Sequence, residues 1–276
     1  MAQADQPDPQ CGQPDWLRVA VRPELAGLVS DIVFYRETGA PAPGQVEMAT
    51  LVFPLVISFG APFAIALGRR PGADETYASF AAGLFAGPVM IDSPGTAECV
   101  QVNFTPLGAR RFFGLPMREL ASRMVPLDDL GDDALALLRR RLGELNDPAA
   151  RLDLVERFVL ARIAASPAID PALAWAYGRL AGTGGRIRIA SLTGRLEWSR
   201  RRLSQGFQDV FGLPPKTIAR MLRFQGALAQ AGQTQAPDWA DIAAACGYAD
   251  QAHLSREFSE FAGASPTAWR AAAARA

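Results

Sequence analysis

Gln251, Ala252, Ser255 and Arg256 fall at the i, i+1, i+4, i+5 spacing that brings side chains to one face of a helix. Their chemistry is hydrogen bonding, not bond making. A guanidinium pairs bidentately with guanine O6 and N7, a carboxamide pairs with adenine N6 and N7, and a serine hydroxyl bonds a base or a phosphate. Ala252 offers only an apolar contact, such as to a thymine methyl. Residues for covalent catalysis are scarce. The single histidine, His253, lies inside this same group, so no Ser-His-Asp or Cys-His arrangement has a base elsewhere. A metal held by several histidines is excluded by the same count. Cys11, Cys99 and Cys246 are far apart and lack CxxC spacing, so they read as reduced core thiols, with a redox-sensing Cys99 as the alternative. Asp128-Asp129 and Asp132-Asp133 are paired carboxylates at a helix start, where they cap and complement the dipole. Gly182-Thr183-Gly184-Gly185 has no strand before it and no lysine after it, so it is a flexible join and not a phosphate cradle.

The elements that must position these side chains are legible around them. Asp238 is a good N-cap for a helix carrying Trp239, Ile242, Ala243 and Cys246 on one face, and Gly247 stands where a left-handed residue ends it. Asp250 caps a second helix with an inward stripe of Leu254, Phe258 and Phe261, closed by Gly263 and Pro266. A Gly turn between two short helices, the second showing Gln, Ser and Arg outward, fits a DNA-reading helix-turn-helix, although plain αα-corners share the pattern. The pattern recurs upstream at a constant offset of 51. Ser199, Leu203, Ser204, Phe207, Gly212 and Pro215 stand where Asp250, Leu254, Ser255, Phe258, Gly263 and Pro266 stand. Lys216 to Gln230 reads as a connecting helix with Ile218, Leu222, Gln225 and Ala229 on one face. Two such units on a rigid connector would set two recognition helices into successive major grooves, about 34 Å apart.

From Ile187 to Arg270 the sequence resembles the AraC/XylS family of bacterial transcription regulators. The likeness rests on A-A-C-G-Y-A-D-Q-A-H-L-S-R-E-F, on G-A-S-P-T-A-W-R, and on G-L-P-P-K…R-F between Gly212 and Phe224. The resemblance implies Gln251, Ala252, Ser255 and Arg256 as the DNA-facing set of the second unit, and Arg200, Arg201, Ser204 and Gln205 as that of the first. It makes Leu203, Phe207, Leu254 and Phe258 core residues and Gly247 the turn. Arg202 and His253 occupy equivalent positions and are expected to touch backbone or a neighbouring helix. Glu197 sits where the family usually has a turn glycine, and Gly206 interrupts the first reading helix at a cost of roughly 1 kcal/mol relative to Ala. Arg200 and Arg201 therefore either read bases or anchor phosphates. A looser likeness, over Val100 to Asp129 (F-T-P-L-G-A-R-R-F-F-G-L-P and V-P-L-D-D-L), implies a sensor domain used for effector binding or dimerisation.

The remaining sequence agrees. The chain has 276 residues, 49% apolar, enough for two domains, and zero net charge. From Asp170 onward 13 basic residues face 8 acidic ones, the footprint expected of a phosphate-binding module. Lys216 is the one lysine, and the Arg and Ala richness suggests a GC-rich, bacterial genome. Residues 1–15 read as a disordered tail rich in Gln, Pro and Asp. Arg22 to Phe34 is expected as a helix and Gly39 to Gly44 as a loop. Strands are expected at Thr50–Phe59, Phe63–Leu67, Ala78–Phe85, Val89–Ser93 and Glu98–Phe104. Thr105 and Pro106 open a helical regime, with helices over Asp128–Leu145 and Pro148–Ile163. Ser166 to Asp170 is the linker, and a lead-in helix follows to Gly182.

The expected class is α+β, with an N-terminal cupin-like β-barrel or sandwich and helical appendage, then an all-α domain with two helix-turn-helix units. The expected boundaries are 16–165 for the sensor or dimerisation domain, 166–185 for the linker and lead-in helix, and 186–276 for the DNA-binding domain. An effector would lie inside the barrel, among Phe53, Phe59, Phe63, Phe80, Phe85 and Phe104 unless these are core, and Arg69-Arg70 either hold an acidic ligand or form a solvated loop. The expected partners are double-stranded DNA, a small-molecule effector, a second copy of the chain and, for an activator, RNA polymerase. No metal or cofactor is expected. No run of 18 apolar residues and no signal-peptide pattern appears, which points to a cytoplasmic, non-enzymatic regulator. The alternatives are an enzyme domain fused to a DNA-binding tail, and a regulator whose N-terminal domain pairs with protein and takes no ligand.

Overall fold

Short apolar runs broken by Gly and Pro build two antiparallel sheets in the N-terminal half. The computed structural model describes residues 15–233 and 235–274. Cys11 and the tail expected over 1–15 lie outside these residues, apart from Asp15. The strands are β1 (Asp15–Val19), β2 (Val29–Arg36), β3 (Ala42–Glu47), β4 (Phe53–Ser58), β5 (Phe63–Leu67), β6 (Thr76–Tyr77), β7 (Phe80–Ala82), β8 (Val89–Ser93) and β9 (Glu98–Phe104). Helix α1 (Pro106–Phe113) follows, then β10 (Met124–Pro126). One sheet runs β1-β2-β9-β4-β7-β10 and the other β3-β8-β5-β6.

Strand β9 shows how the layers are assigned. Val100, Val102 and Phe104 are buried in the main core, which continues into the helices. The alternate residues Cys99, Gln101 and Asn103 face the second sheet. Between the sheets, Val56, Ile65, Phe80 and Cys99 form a separate small core with Val89 and Ile91. Next to it the face turns polar. Gln101 donates to Asn103 at 2.9 Å, and Asn103 donates to Asp31 at 2.8 Å. Glu47 pairs with Val89 across the strands and so shares that face. It keeps solvent access, yet protein surrounds it closely enough that desolvation raises its carboxyl pKa.

Three expectations fail here, one being the unbroken helical regime after Thr105, which β10 and a 3-10 turn at Leu127–Leu130 interrupt before a helix starts at Asp133. Arg22 to Phe34 is not a helix. A 3-10 turn at Pro23–Leu25 leads directly into β2, whose Ile32, Val33 and Phe34 are all buried between β1 and β9. A strand buried on both faces loses its alternation and mimics a helical stripe. The Gly39 to Gly44 loop is shorter than expected because β3 begins at Ala42 as an exposed edge strand.

Helix α3 (Pro148–Ala165), capped by Asp147, packs on the first sheet, and α2 (Asp133–Gly143), capped by Asp132, packs on α3. The C-terminal helices are α4 (Pro171–Gly182), α5 (Ile189–Leu196), α6 (Arg200–Phe211), α7 (Pro215–Ala231), α8 (Trp239–Cys246), α9 (Gln251–Ala262) and α10 (Pro266–Ala273). The connecting helix α7 buries Ile218, Ala219, Met221, Phe224, Ala227 and Ala231, not the face expected through Leu222, Gln225 and Ala229. Helices pack on it from both units, so its apolar surface is broad and the single-stripe reading picked a flank. Among the described residues no helix is long and apolar enough to cross a membrane.

Candidate nucleic-acid interface

Helices α6 and α9 each start from a side-chain cap. The Asp250 carboxylate accepts the His253 N–H at 2.6 Å, and the Ser199 hydroxyl accepts the Arg202 N–H at 3.1 Å. Each ends on a left-handed glycine, Gly212 at φ 80° and Gly263 at φ 73°. Between these limits one face is apolar. Leu203, Phe207 and Phe211 in α6, and Leu254, Phe258 and Phe261 in α9, are fully buried. Phe224 of α7 stacks edge-on against Phe258 and Phe261, with ring centroids 5.2 and 5.4 Å apart, so the connector and the second reading helix share one core.

The opposite face carries the expected readers. Arg200, Arg201 and Gln205 are exposed and Ser204 is half-buried; Gln251, Ala252 and Arg256 are exposed and Ser255 is half-buried. The exposure repeats position by position at the offset of 51. Among the described residues no ion pair involves Arg200, Arg201 or Arg256, although neighbouring arginines are paired. Their charge is free for a polyanion.

Arg202 and His253 meet residues of their own turns and helix and not the neighbouring helices. The Arg202 guanidinium lies over the Trp198 ring at 4.1 Å. The His253 ring meets Tyr248 edge-on at 5.3 Å, and its Nε2 is 3.2 Å from Glu257. The turns of the two units differ. Gly247 takes the left-handed conformation at φ 77°, whereas Glu197 takes it at φ 53° without being glycine. Gly206 has a packing reason: a Cβ there would stand 2.8 Å from Leu173 Cδ2 of α4.

One part of the site escaped the sequence reading. Glu257, beside Arg256 but on the inner face, is buried. It accepts from Arg220 Nε at 2.7 Å and from Arg223 Nη2 at 3.4 Å, both on α7. Arg223 also donates to the Gly185 carbonyl at 3.2 Å, and Arg220 pairs with Glu260. This cluster ties α9, α7 and the segment entering the first unit. Glu257 Oε2, Arg223 Nε and Tyr248 Oη are buried without a partner, so the cluster is costly for what it contributes to stability. Burial pushes the Tyr248 hydroxyl pKa up, with Glu257 adding to it. The available signal was a glutamate three residues after Leu254 and next to Phe258, inside an apolar stripe. Cys246 is buried nearby, and burial raises its thiol pKa. Among the described residues no group of His, Cys, Asp or Glu is arranged to hold a metal.

Residues 192–272 match the family model described as a helix-turn-helix domain. The capped helix pairs and the match define a DNA-binding module of that class. More particularly, the matched module is a helix-turn-helix of the AraC type. No curated protein matches the chain in sequence. Among solved structures, the DNA-binding domain of AdpA in complex with a target DNA is 25% identical, covering 37% of this chain and 93% of that one at a TM-score of 0.34. The C-terminal domain of AraT, a response regulator from Geobacillus stearothermophilus, is 22% identical over 38% and 87%, TM-score 0.35. ToxT from Vibrio cholerae is 12% identical over 94% and 97%, TM-score 0.41.

Proposed function

We propose that α6 and α9 are the two reading helices of a sequence-specific regulator, laid into successive major grooves. Arg200, Arg201, Ser204 and Gln205 contact the first, and Gln251, Ala252, Ser255 and Arg256 contact the second. The observation that carries this reading is the matched pair of exposed faces at one constant offset, with Arg200 and Arg201 on the first and Arg256 on the second in no ion pair among the described residues. Gln251 and Arg256 are the base readers of the second unit, and Arg200 and Arg201 add phosphate contacts in the first. The unit boundaries follow the sequence reading, with 16–165 as sensor, 166–185 as linker and lead-in helix, and 186–276 as DNA-binding domain. Packing of Leu173 against α6 supports counting α4 with the helical part.

Control through the N-terminal domain belongs to the same proposal. Phe53 and Phe104 are fully buried in the core beneath the helices, so they are packing residues. Arg69 pairs with Glu75 in an exposed loop. The polar face between the sheets, with Asp31, Gln101, Asn103 and Glu47, is the better seat for a small polar effector. Its occupancy would shift the population of DNA-competent arrangements.

The test is a salt titration of binding to the chain's own upstream DNA and to scrambled DNA, for wild type and Arg256→Ala. A large preference for the upstream DNA that falls in the variant, at a cost of about 1–3 kcal/mol, supports base readout by α9. Equal, steeply salt-dependent binding to both DNAs, persisting through selection from a random library, would leave only electrostatic attraction and sink the reading.

A further inference from the structure

The two reading helices meet the N-terminal domain at the same residue of the repeat. Gly212 and Gly263 are equivalent at the offset of 51, and each is the left-handed glycine past a helix end. A Cβ on Gly212 would lie 3.1 Å from the Met117 carbonyl oxygen and 3.3 Å from Ala121 Cβ. A Cβ on Gly263 would lie 3.2 Å from Pro88 Cγ and 3.9 Å from Val46 Cγ1. Polar contacts lie next to both. Arg118, in the 3-10 turn Met117–Glu119, pairs with Asp209 in the last turn of α6. The Ala49 N–H donates to the Phe261 carbonyl at 2.9 Å, taking up one of the carbonyls that the end of α9 leaves unpaired within the helix.

These contacts are separate on the N-terminal domain. One is the turn after α1, and the other is the end of β3 with the start of β8. Both lie at the helix C-termini, whereas the caps and the exposed Gln251, Ala252, Arg200 and Arg201 lie at the N-terminal ends. The placement of α6 relative to α9 is therefore held twice, by α7 within the helical domain and by the sheet domain spanning the two far ends.

We propose that the N-terminal domain is a brace for both reading helices and that it sets the spacing between DNA half-sites that the chain accepts. The proposal rests on the reading of α6 and α9 as the DNA-contacting helices. It also names a route for control. Val46 and Glu47 are neighbours on β3, so their side chains point to opposite faces. Val46 meets Gly263 of α9, and Glu47 looks into the polar inter-sheet face. A group bound on that face would bear on the same strand end that holds α9.

The experiment uses the full chain with Val46→Asp, Arg118→Asp and the double variant. Val46 and Arg118 are about half exposed, so neither change empties the core. The first puts a carboxylate against the negative end of α9, and the second repels Asp209. Each protein selects from a DNA library with two half-sites and a randomised spacer length. Wild type is expected to prefer one spacing over its neighbours by about tenfold, and the double variant by less than about threefold, with unchanged base preference within each half-site. A double variant that keeps the wild-type spacing profile overturns the brace. A wild type that selects no half-site motif at all defeats the reading of α6 and α9 themselves, which Arg256→Ala tests separately.

Discussion

Glu197 holds a left-handed backbone that costs a non-glycine residue about 1–2 kcal/mol, and among the described residues its exposed side chain has no hydrogen bond or ion pair to offset it. The second unit uses glycine at the same turn. Glu197→Gly is expected to stabilise the chain by about 0.5–1 kcal/mol, since relief of strain outweighs the added freedom of the unfolded chain. Denaturant unfolding measures it, and a loss of stability would show that the turn is not strained. Glu257 is the opposite case, a buried group whose removal is felt by several partners. Glu257→Leu leaves Arg223 facing a buried apolar surface and should cost about 3 kcal/mol. Glu257→Gln keeps an acceptor for Arg220 and should cost about 1–2 kcal/mol. Equal losses for the two substitutions would mean that shape matters at this position and hydrogen bonding does not.

Helix α6 shows how an element accommodates a defect for the sake of a neighbour. Glycine inside a helix is worth about 1 kcal/mol less than alanine, but a Cβ at Gly206 would push on Leu173. Gly206→Ala is expected to lower stability by about 1 kcal/mol in the wild type, where overpacking outweighs propensity. In a Leu173→Ala background the same change should raise stability by about 1 kcal/mol, and a double-mutant cycle on unfolding free energies reads the coupling. Two additive changes would show that α4 does not constrain α6. Gly206 was legible only as an oddity, because its reason lies on another helix, 33 positions away. The same limit explains the rest. Helices α8 and α9 could be read because Asp238, Gly247, Asp250 and Gly263 mark their ends locally. Strand β3, A-P-G-Q-V-E, has one large apolar residue and the chemistry of a loop, so its pairing with β8 cannot be seen from within it. The exposed faces of α6 and α9 followed from the repeat, but the Glu257 cluster did not, since Arg220 and Arg223 are brought to it by the fold.

At the scale of the whole molecule, arginines of α3 join the sheets to the helices and the helices to one another. Arg151 of α3 donates from Nε to the Leu142 and Leu145 carbonyls at 3.1 and 2.8 Å, pairs with Glu98 of β9, and lies 4.0 Å from the Phe59 ring centroid. Arg162 of the same helix pairs with Asp132, the cap of α2. Burial alone would raise the Glu98 and Asp132 carboxyls. For Glu98 the bonds from Arg36 and Arg151 outweigh burial; for Asp132 those from Arg162 and the Leu135 and Ala134 N–H groups do, so both are held below their ordinary range. An acid depressed in the folded state contributes stability above its unfolded pKa and loses it as pH falls through the folded one. Glu47, which keeps solvent access but is raised by the protein packed around it, works the other way and weakly favours the folded state at acid pH relative to neutral. With the exposed Glu75, which its bond from Arg69 also holds low, three carboxylates oppose one, and the chain should lose stability as pH falls below about 4.5, the ordinary glutamate value. Arg151→Ala should cost about 3 kcal/mol at neutral pH, because it removes one of the two arginines that hold a partly buried carboxylate and the donor to the Leu142 and Leu145 carbonyls. It should also flatten the acid limb, since Glu98 then keeps only Arg36 as a partner. Unfolding free energies of wild type and variant between pH 7 and about pH 3 check both. A parallel displacement of the two curves would mean that Arg151 acts through packing on Phe59 and not through the charge of Glu98.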